Sequence, residues 1–301
     1  MPGRDTDVLR RVLAEELSDV RVAEWPSVES PAEVRMAVVW NHPEGALRSF
    51  PNLELVCSYG AGVDHLLRDP DLPANVGIVR VVDPQLVTDM VEYVVGVACA
   101  HHRGFATYRE QQRGTAWAPH EYSRAPRALV LGLGELGGAV ARALVSLGWR
   151  VTGWSRSGRP ADGVDSTMGR DALERSVADA ELVVCMLPLT PQTDGLVDHA
   201  LLRRMRPEAL LLNVGRGRLV VEADLLAALD AGRPGAAWLD VFEQEPLPPE
   251  HPLWVHPRVT VTPHVASLTD PSVAARLVAD VWRRLERGEP QQHRVDPARG
   301  Y

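Results

Sequence analysis

The sequence predicts an α/β protein built on doubly wound parallel sheets in two domains. Three observations carry this. From Arg127 onward, short apolar runs alternate with amphipathic helical segments, a spacing that requires helical crossovers between parallel strands. The turn after the first of these runs carries Gly132-x-Gly134-x-x-Gly137. The chain has 301 residues with 45% hydrophobic content, which supports a large core and favours two domains over one.

The first 95 residues alternate helix and strand signals. "VLRRVLAEEL" has the period of an amphipathic helix, while "VRVAEW", "RMAVVW", "LELVCS" and "GIVRVV" are short β-branched runs. One long helix is expected from about Val87 to Gln112, followed by the aromatic, turn-rich segment "GTAWAPHEYSRAP". After it come strand "RALVLGLG", helix "ELGGAVARALVSLG" and strand "RVTGW", then helix "RDALERSVADA" and strand "ELVVCMLP". Helix "HALLRRMRPE", strand "ALLLNVG", helix "EADLLAALDAG" and strands "AAWLDV" and "RVTVTP" complete the alternation. An amphipathic helix, "PSVAARLVADVWRRLERGE", precedes a polar tail. There is no fixed-period repeat.

Composition narrows the function classes. The net charge of −8, with no basic cluster, argues against a nucleic-acid partner. No apolar run reaches the roughly 18–20 residues of a membrane span, and "MPGRDTDVLRR" lacks a signal-peptide apolar region. Cys57, Cys99 and Cys185 are odd in number and far apart, which reads as reduced cysteines in a cytoplasmic protein. All 32 basic residues are Arg, so a P-loop lysine and a Schiff-base lysine are excluded together. His101, His102, His251 and His256 have no metal-ligand spacing, and no metal is expected.

The glycine pattern follows a strand and opens a helix, the context in which it points to a dinucleotide. Gly132 permits the tight turn, Gly134 close approach of a pyrophosphate, and Gly137 helix–sheet packing. The competing reading is a tight turn with no ligand. NAD sites usually carry an acid about 20 positions on, at the end of the second strand. Here that strand ends "GWSRSGR", with Ser155 in the acid's place and Arg156 and Arg159 after it. A neutral and basic set suits a 2′-phosphate, so NADPH is expected, with NADH possible.

Three strand ends bear ionisable residues: "NVGRG" with Arg216, "DVFEQEPLP" with Glu245 and "TPHVAS" with His264. Singly these read as a loop charge, a turn residue and a structural histidine. Together, at the carboxyl ends of parallel strands, they suit hydride transfer to a 2-oxo acid. Arg216 would bind the carboxylate and polarise the ketone. His264 would give a proton to the alkoxide, histidine being the side chain that exchanges protons near neutrality. Glu245 would orient the imidazole and favour its charged form.

These segments resemble the D-isomer-specific 2-hydroxyacid dehydrogenase family, and within it the bacterial glyoxylate/hydroxypyruvate reductase A group. The resemblance runs from "VVW" and "YGAGVDHLL" to the terminal "VDPARGY". It is most specific in "LNVGRGRLVVEADLLAALDAG", "LDVFEQEPLPPEHPLW" and "VTVTPHVAS". It implies a Rossmann coenzyme domain (96–270) inserted in a flavodoxin-like substrate domain (1–95 and 271–301), with a cleft that closes by a hinge. It implies that Arg216, Glu245 and His264 are the catalytic set and that Asp240 holds the nicotinamide carboxamide. The "GAGVD" loop, through Ala61, Gly62 and Val63, would receive the substrate carboxylate. Trp40 would wall the pocket, a core tryptophan being the alternative. Cofactor contacts are expected from Gly132, Gly134, Glu135, Leu136 and Gly137, from Ser155 and Arg156, and from Leu187, Pro188, Val214 and Gly215. A homodimer is implied, with "GTAWAPHEYSR" as its arm and Trp117 as anchor.

Other substrates within the family stay open: pyruvate, phenylpyruvate or phosphoglycerate. A formate or phosphite oxidiser ranks low, because the formate group pairs its histidine with Gln where Glu245 stands here. Phosphoglycerate enzymes often carry a regulatory domain, which is not read here. A non-catalytic nucleotide sensor is the reading from another class, and the full Arg–Glu–His set argues against it.

Overall fold

The computed structural model describes residues 6–158, 160–161 and 163–297. Arg159 and the end of "VDPARGY" lie outside the described residues. The chain divides into two compact units, Met1–Leu86 with Leu268–Tyr301, and Val87–Ser267. The boundary expected at residues 95 and 96 falls inside a continuous helix, Pro84–His102. The passage between units falls instead near the start of that helix.

In the first unit, α1 (Thr6–Glu16) precedes β1 (Met36–Val39), β2 (Leu55–Ser58), α2 (Asp64–Leu67) and β3 (Gly77–Arg80). The strands form a parallel sheet in the order β1-β2-β3. Successive strand residues face opposite sides. Leu55 and Cys57 thus join Leu9, Val12 and Leu13 of α1, while Val56 joins Leu47, Phe50 and Leu66. The segment "VRVAEW" forms no strand. Val20, Val22 and Trp25 line a cavity of about 730 Å³ that Met36 and Val38 of β1 also line. The segment therefore lies by the β1 edge without pairing to it, leaving Trp25 half exposed. Its alternating pattern fits a strand, but no backbone partner completes one.

The second unit begins with α3 (Pro84–His102) and α4 (Phe105–Arg113), which replace the single helix expected from the sequence. Gly104 breaks them with φ 67°, and a Cβ there would lie 2.5 Å from the His120 ring. Next come β4 (Arg127–Leu131), α5 (Glu135–Ser146), β5 (Arg150–Trp154) and β6 (Asp165–Thr167). The alternation continues with α6 (Arg170–Asp179), β7 (Leu182–Cys185), α7 (His199–Leu202), β8 (Leu210–Asn213), α8 (Glu222–Asp230), β9 (Ala236–Leu239) and β10 (Val259–Val261). α7 stops well short of "HALLRRMRPE", with Arg203 as its C-cap. The short β6 carries no apolar run and was not legible in the sequence.

All seven strands are parallel, in the order β10-β9-β8-β7-β4-β5-β6. Leu129, Leu131, Val183, Cys185 and Leu211 face Leu173, Val177, Leu202 and Leu225. Ala128, Val130, Val184 and Leu212 face Val94 and Val97 of α3 and Val140 and Leu144 of α5. Burial on both faces explains the unbroken apolar runs. The chain then returns to the first unit as α9 (Pro271–Glu286), whose N-cap Asp270 accepts from Ser272 N and Val273 N at 2.8 and 3.1 Å. Ala274, Ala275, Val278 and Ala279 of α9 pack in the α1 core. This is a Rossmann domain inserted in a parallel-sheet substrate domain.

Two glycines hold this framework by having no side chain. A Cβ on Gly137 would sit 1.9 Å from the Gly132 carbonyl oxygen, and one on Gly217 would sit 1.8 Å from the Phe242 carbonyl carbon. Gly137→Ala and Gly217→Ala are each expected to lower unfolding free energy by roughly 3 kcal/mol or more. Urea denaturation measures this, and a loss under about 1 kcal/mol would show that the backbone yields.

Candidate active site

The sheet order reverses between β4 and β7, and ligands of open α/β sheets bind beyond the strand ends at such a point. The loop after β4 begins at Gly132, with φ 102°, where a Cβ would meet the Met186 carbonyl oxygen at 2.7 Å. Gly134 differs: it is exposed, and a Cβ there would meet no protein atom within 4 Å. Gly134 is also the N-cap of α5 without a side-chain cap, so the first amides of that helix have no capping oxygen. A bare helix start with a glycine facing open space fits a phosphate. Exposed Glu135 and half-buried Leu136 form the first turn behind it. Leu187, Val214 and Gly215 are buried and Pro188 is half buried, and a Cβ on Gly215 would lie 3.1 Å from the Leu187 carbonyl oxygen. The turns after β7 and β8 therefore adjoin one another.

At the end of β5 the Ser155 amide donates to Thr167 O at 3.1 Å, while its Oγ is buried with no partner among the described residues. Arg156 beside it is exposed. An orphaned hydroxyl and an exposed guanidinium fit a 2′-phosphate better than a 2′-hydroxyl.

The Arg216 turn is tied down from within. Asn213, buried at the end of β8, accepts from Gly215 N at 3.2 Å and donates Nδ2 to Arg216 O at 3.0 Å. Arg216 is half buried and its Nη1 donates to Gly215 O at 2.7 Å. Gly217 brings the turn into contact with the backbone of Phe242 and Glu243. Asn213 was not singled out in the sequence, although an amide closing the run "LLLN" was its signal.

Glu245 and His264 meet directly. His264 Nδ1 lies 2.7 Å from Glu245 Oε2, while Glu245 Oε1 accepts from Phe242 N at 3.0 Å. Burial works against the Glu245 charge, yet the His264 contact, the Phe242 amide and the positive charge of Arg216 hold its pKa below the ordinary 4.5. His264 adopts φ 55°, the left-handed region, and its amide donates to Asp240 O at 2.8 Å.

Asp240 is 1% exposed. Oδ1 accepts from Thr262 Oγ1 at 2.7 Å and Val265 N at 2.9 Å, and Oδ2 accepts from Ala266 N at 2.9 Å. The carboxylate thus wraps the turn that carries His264. Two residues that sequence reasoning missed, Thr262 and Tyr93, complete the surroundings. Burial raises the Tyr93 phenol pKa, and the negative charge of Asp240 adds to the rise.

The "GAGVD" loop belongs to the first unit. Arg80 Nη1 donates to Ala61 O at 3.2 Å, and Ser58 Oγ donates to Gly62 O at 2.7 Å. In a trans peptide the N–H points opposite its carbonyl, so the Gly62 and Val63 amides are turned away from these anchors. Trp40 is half buried in the first-unit core, and a Cβ on Gly60 would lie 2.8 Å from its ring. Its ring centroid lies 4.9 Å from that of His65, with the two planes tilted by 51°. In the 114–124 segment, Trp117 is fully exposed, while His120 N donates to Tyr108 Oη at 2.9 Å. Among the described residues no group of His, Cys, Asp and Glu is arranged to hold a metal ion, and no helix is long and apolar enough to cross a membrane.

A depressed folded pKa stabilises above the unfolded value and loses that contribution as pH falls through the folded one. Glu245→Gln should therefore melt below the wild type near neutral pH, with the gap closing below about pH 4. Melting curves from about pH 7 to about pH 3 test this; a gap that stays constant would remove the Glu245 charge from the account.

Residues 95–266 match the family described as D-isomer specific 2-hydroxyacid dehydrogenase, NAD binding domain. Among solved structures, a D-isomer specific 2-hydroxyacid dehydrogenase from Xanthobacter autotrophicus Py2, in complex with NADPH and MES, is 40% identical with TM-score 0.92, covering 100% of this chain and 98% of that one. A probable 2-hydroxyacid dehydrogenase from Rhizobium etli CFN 42, in complex with NADP, HEPES and L(+)-tartaric acid, is 35% identical with TM-score 0.90, covering 99% and 97%. An NADPH-dependent glyoxylate/hydroxypyruvate reductase from Sinorhizobium meliloti, in complex with NADP and sulfate, is 35% identical with TM-score 0.91, covering 99% and 98%. With its insertion topology, glycine turn and paired histidine and glutamate, the chain belongs to the D-isomer-specific 2-hydroxyacid dehydrogenase family.

Proposed function

We propose that this protein reduces small 2-oxo acids, glyoxylate and hydroxypyruvate first among them, to 2-hydroxy acids with NADPH. The observation that carries the reading is the 2.7 Å His264–Glu245 pair, set with Arg216 on the turns beyond a Rossmann sheet. Bound NADPH supplies the hydride. Gly134 and the first turn of α5 receive the pyrophosphate, and Ser155 and Arg156 the 2′-phosphate. Arg216 binds the carboxylate through its guanidinium fork and draws electron density toward the ketone oxygen. Glu245 holds Nδ1 of His264, leaving Nε2 to deliver the proton to the developing alkoxide. The Ala61, Gly62 and Val63 amides are assigned to the substrate carboxylate on the same reading. Asp240 Oδ2 carries the Ala266 amide bond, and this carboxylate is assigned to the carboxamide of the nicotinamide on the same reading. Reduction, rather than oxidation, follows from the NADPH assignment. The NADPH-bound and NADP-bound relatives support it.

A panel of glyoxylate, hydroxypyruvate, pyruvate and phenylpyruvate with NADPH and NADH tests the reading. Turnover is expected to be best with the first two acids and NADPH; no turnover on any acid ends it. His264→Ala should lower kcat at least about a hundredfold while leaving NADPH affinity nearly intact. Arg216→Lys keeps the charge but loses the bidentate fork, and should lower kcat/KM by a similar factor of about a hundred. Arg156→Ala should erase most of the preference for NADPH over NADH.

A homodimer and a cytoplasmic location complete the proposal. Wholly exposed Trp117, with Phe105 58% exposed nearby in sequence, supports an interface on the arm. The free thiols Cys57, Cys99 and Cys185 support a reducing compartment. Sedimentation of Trp117→Glu should show monomer at concentrations where the wild type is dimeric; unchanged dimer would place the interface elsewhere.

A further inference from the structure

A chain of four polar side chains runs beneath the His264 turn and ends on Asp240. Trp238 Nε1, on β9, donates to Tyr93 Oη at 2.8 Å. Tyr93, on α3, is hydrogen-bonded to Thr262 Oγ1. Thr262 donates to Asp240 Oδ1 at 2.7 Å. Its direction is set at both ends. An indole N–H can only donate and a carboxylate can only accept. Tyr93 must therefore accept from Trp238 and give its proton to Thr262, which gives its own to Asp240. Every donor points toward the carboxylate, an arrangement in which each bond polarises the next.

The carboxylate at the end of this chain governs a strained turn. His264 sits at φ 55°, unusual for a residue with a side chain. The amides of the two residues after it, Val265 and Ala266, are both held by the Asp240 oxygens. A carboxylate with two turn amides on its two oxygens can still rock about its own axis. The third bond, from Thr262, stops that motion, and Tyr93 fixes the hydroxyl that makes it.

We infer that Tyr93 is a positioning residue: through Thr262 and Asp240 it holds the backbone turn that presents His264. In the "VEYVVGVACA" helix, Tyr93 gives the core-facing surface a polar tip that reaches the sheet edge. Its kinetic consequence rests on the reductase reading above; its structural consequence does not.

The test compares Tyr93→Phe, Thr262→Val and Thr262→Ser with the wild type. Two readouts are taken: hydrogen exchange at the Val265 and Ala266 amides, and kcat and KM for glyoxylate with NADPH. Tyr93→Phe and Thr262→Val are expected to speed exchange at these amides and to lower kcat, each by about tenfold, the loss of one hydrogen bond to a charged chain. KM for glyoxylate should stay within about twofold, since Arg216 is untouched. Thr262→Ser keeps the hydroxyl and should restore both readouts. Unchanged exchange overturns the inference, as does faster exchange with unchanged kcat, or a loss in Thr262→Ser as large as in Thr262→Val. If the wild type reduces no 2-oxo acid, the reductase reading falls, and exchange alone then decides whether Tyr93 holds the turn.

Discussion

At Gly217 the turn after β8 and the turn after β9 touch backbone to backbone, so closely that a methyl group would overlap the Phe242 carbonyl. The rest of this end of the sheet depends on that contact. It brings the residue before it, Arg216, near enough to Glu245 for the guanidinium to help keep the carboxylate charged. The Phe242 amide, part of the same contact, donates to Glu245 Oε1 and leaves Oε2 for His264. A side chain at position 217 would separate the two turns and so break the geometry of all three ionisable groups.

The glycines of the nucleotide turn divide by what surrounds them. Gly132 and Gly137 are crowded by the protein itself, and their role is to let helix and strand approach. Gly134 faces open space and opens a helix whose first amides lack a cap. The two kinds of glycine thus stand in opposite surroundings within six residues of sequence.

Polar chemistry at the sheet edge is ordered in layers. Asn213 closes the Arg216 turn and Asp240 closes the His264 turn, and each is almost wholly buried with its bonds made inside the protein. Buried polar groups without partners are costly, so these two side chains fix one turn conformation rather than several. The ionisable groups those turns carry, Arg216 and His264, stay partly open to solvent, as does Glu245.

The sequence by itself determined the alternation of strands and helices from Arg127 onward, the glycine turn, and the three strand ends that bear Arg216, Glu245 and His264. Those signals are local: apolar period, turn glycines and a charge at the end of an apolar run. The break at Gly104, the short α7, the β6 strand and the unpaired "VRVAEW" segment were decided by tertiary contacts, because a strand needs a partner and a helix a face to bury. The same holds for Thr262 and Tyr93. Nothing near them in sequence marks them, since the groups that give them meaning lie up to 169 residues away along the chain and meet only in the folded sheet.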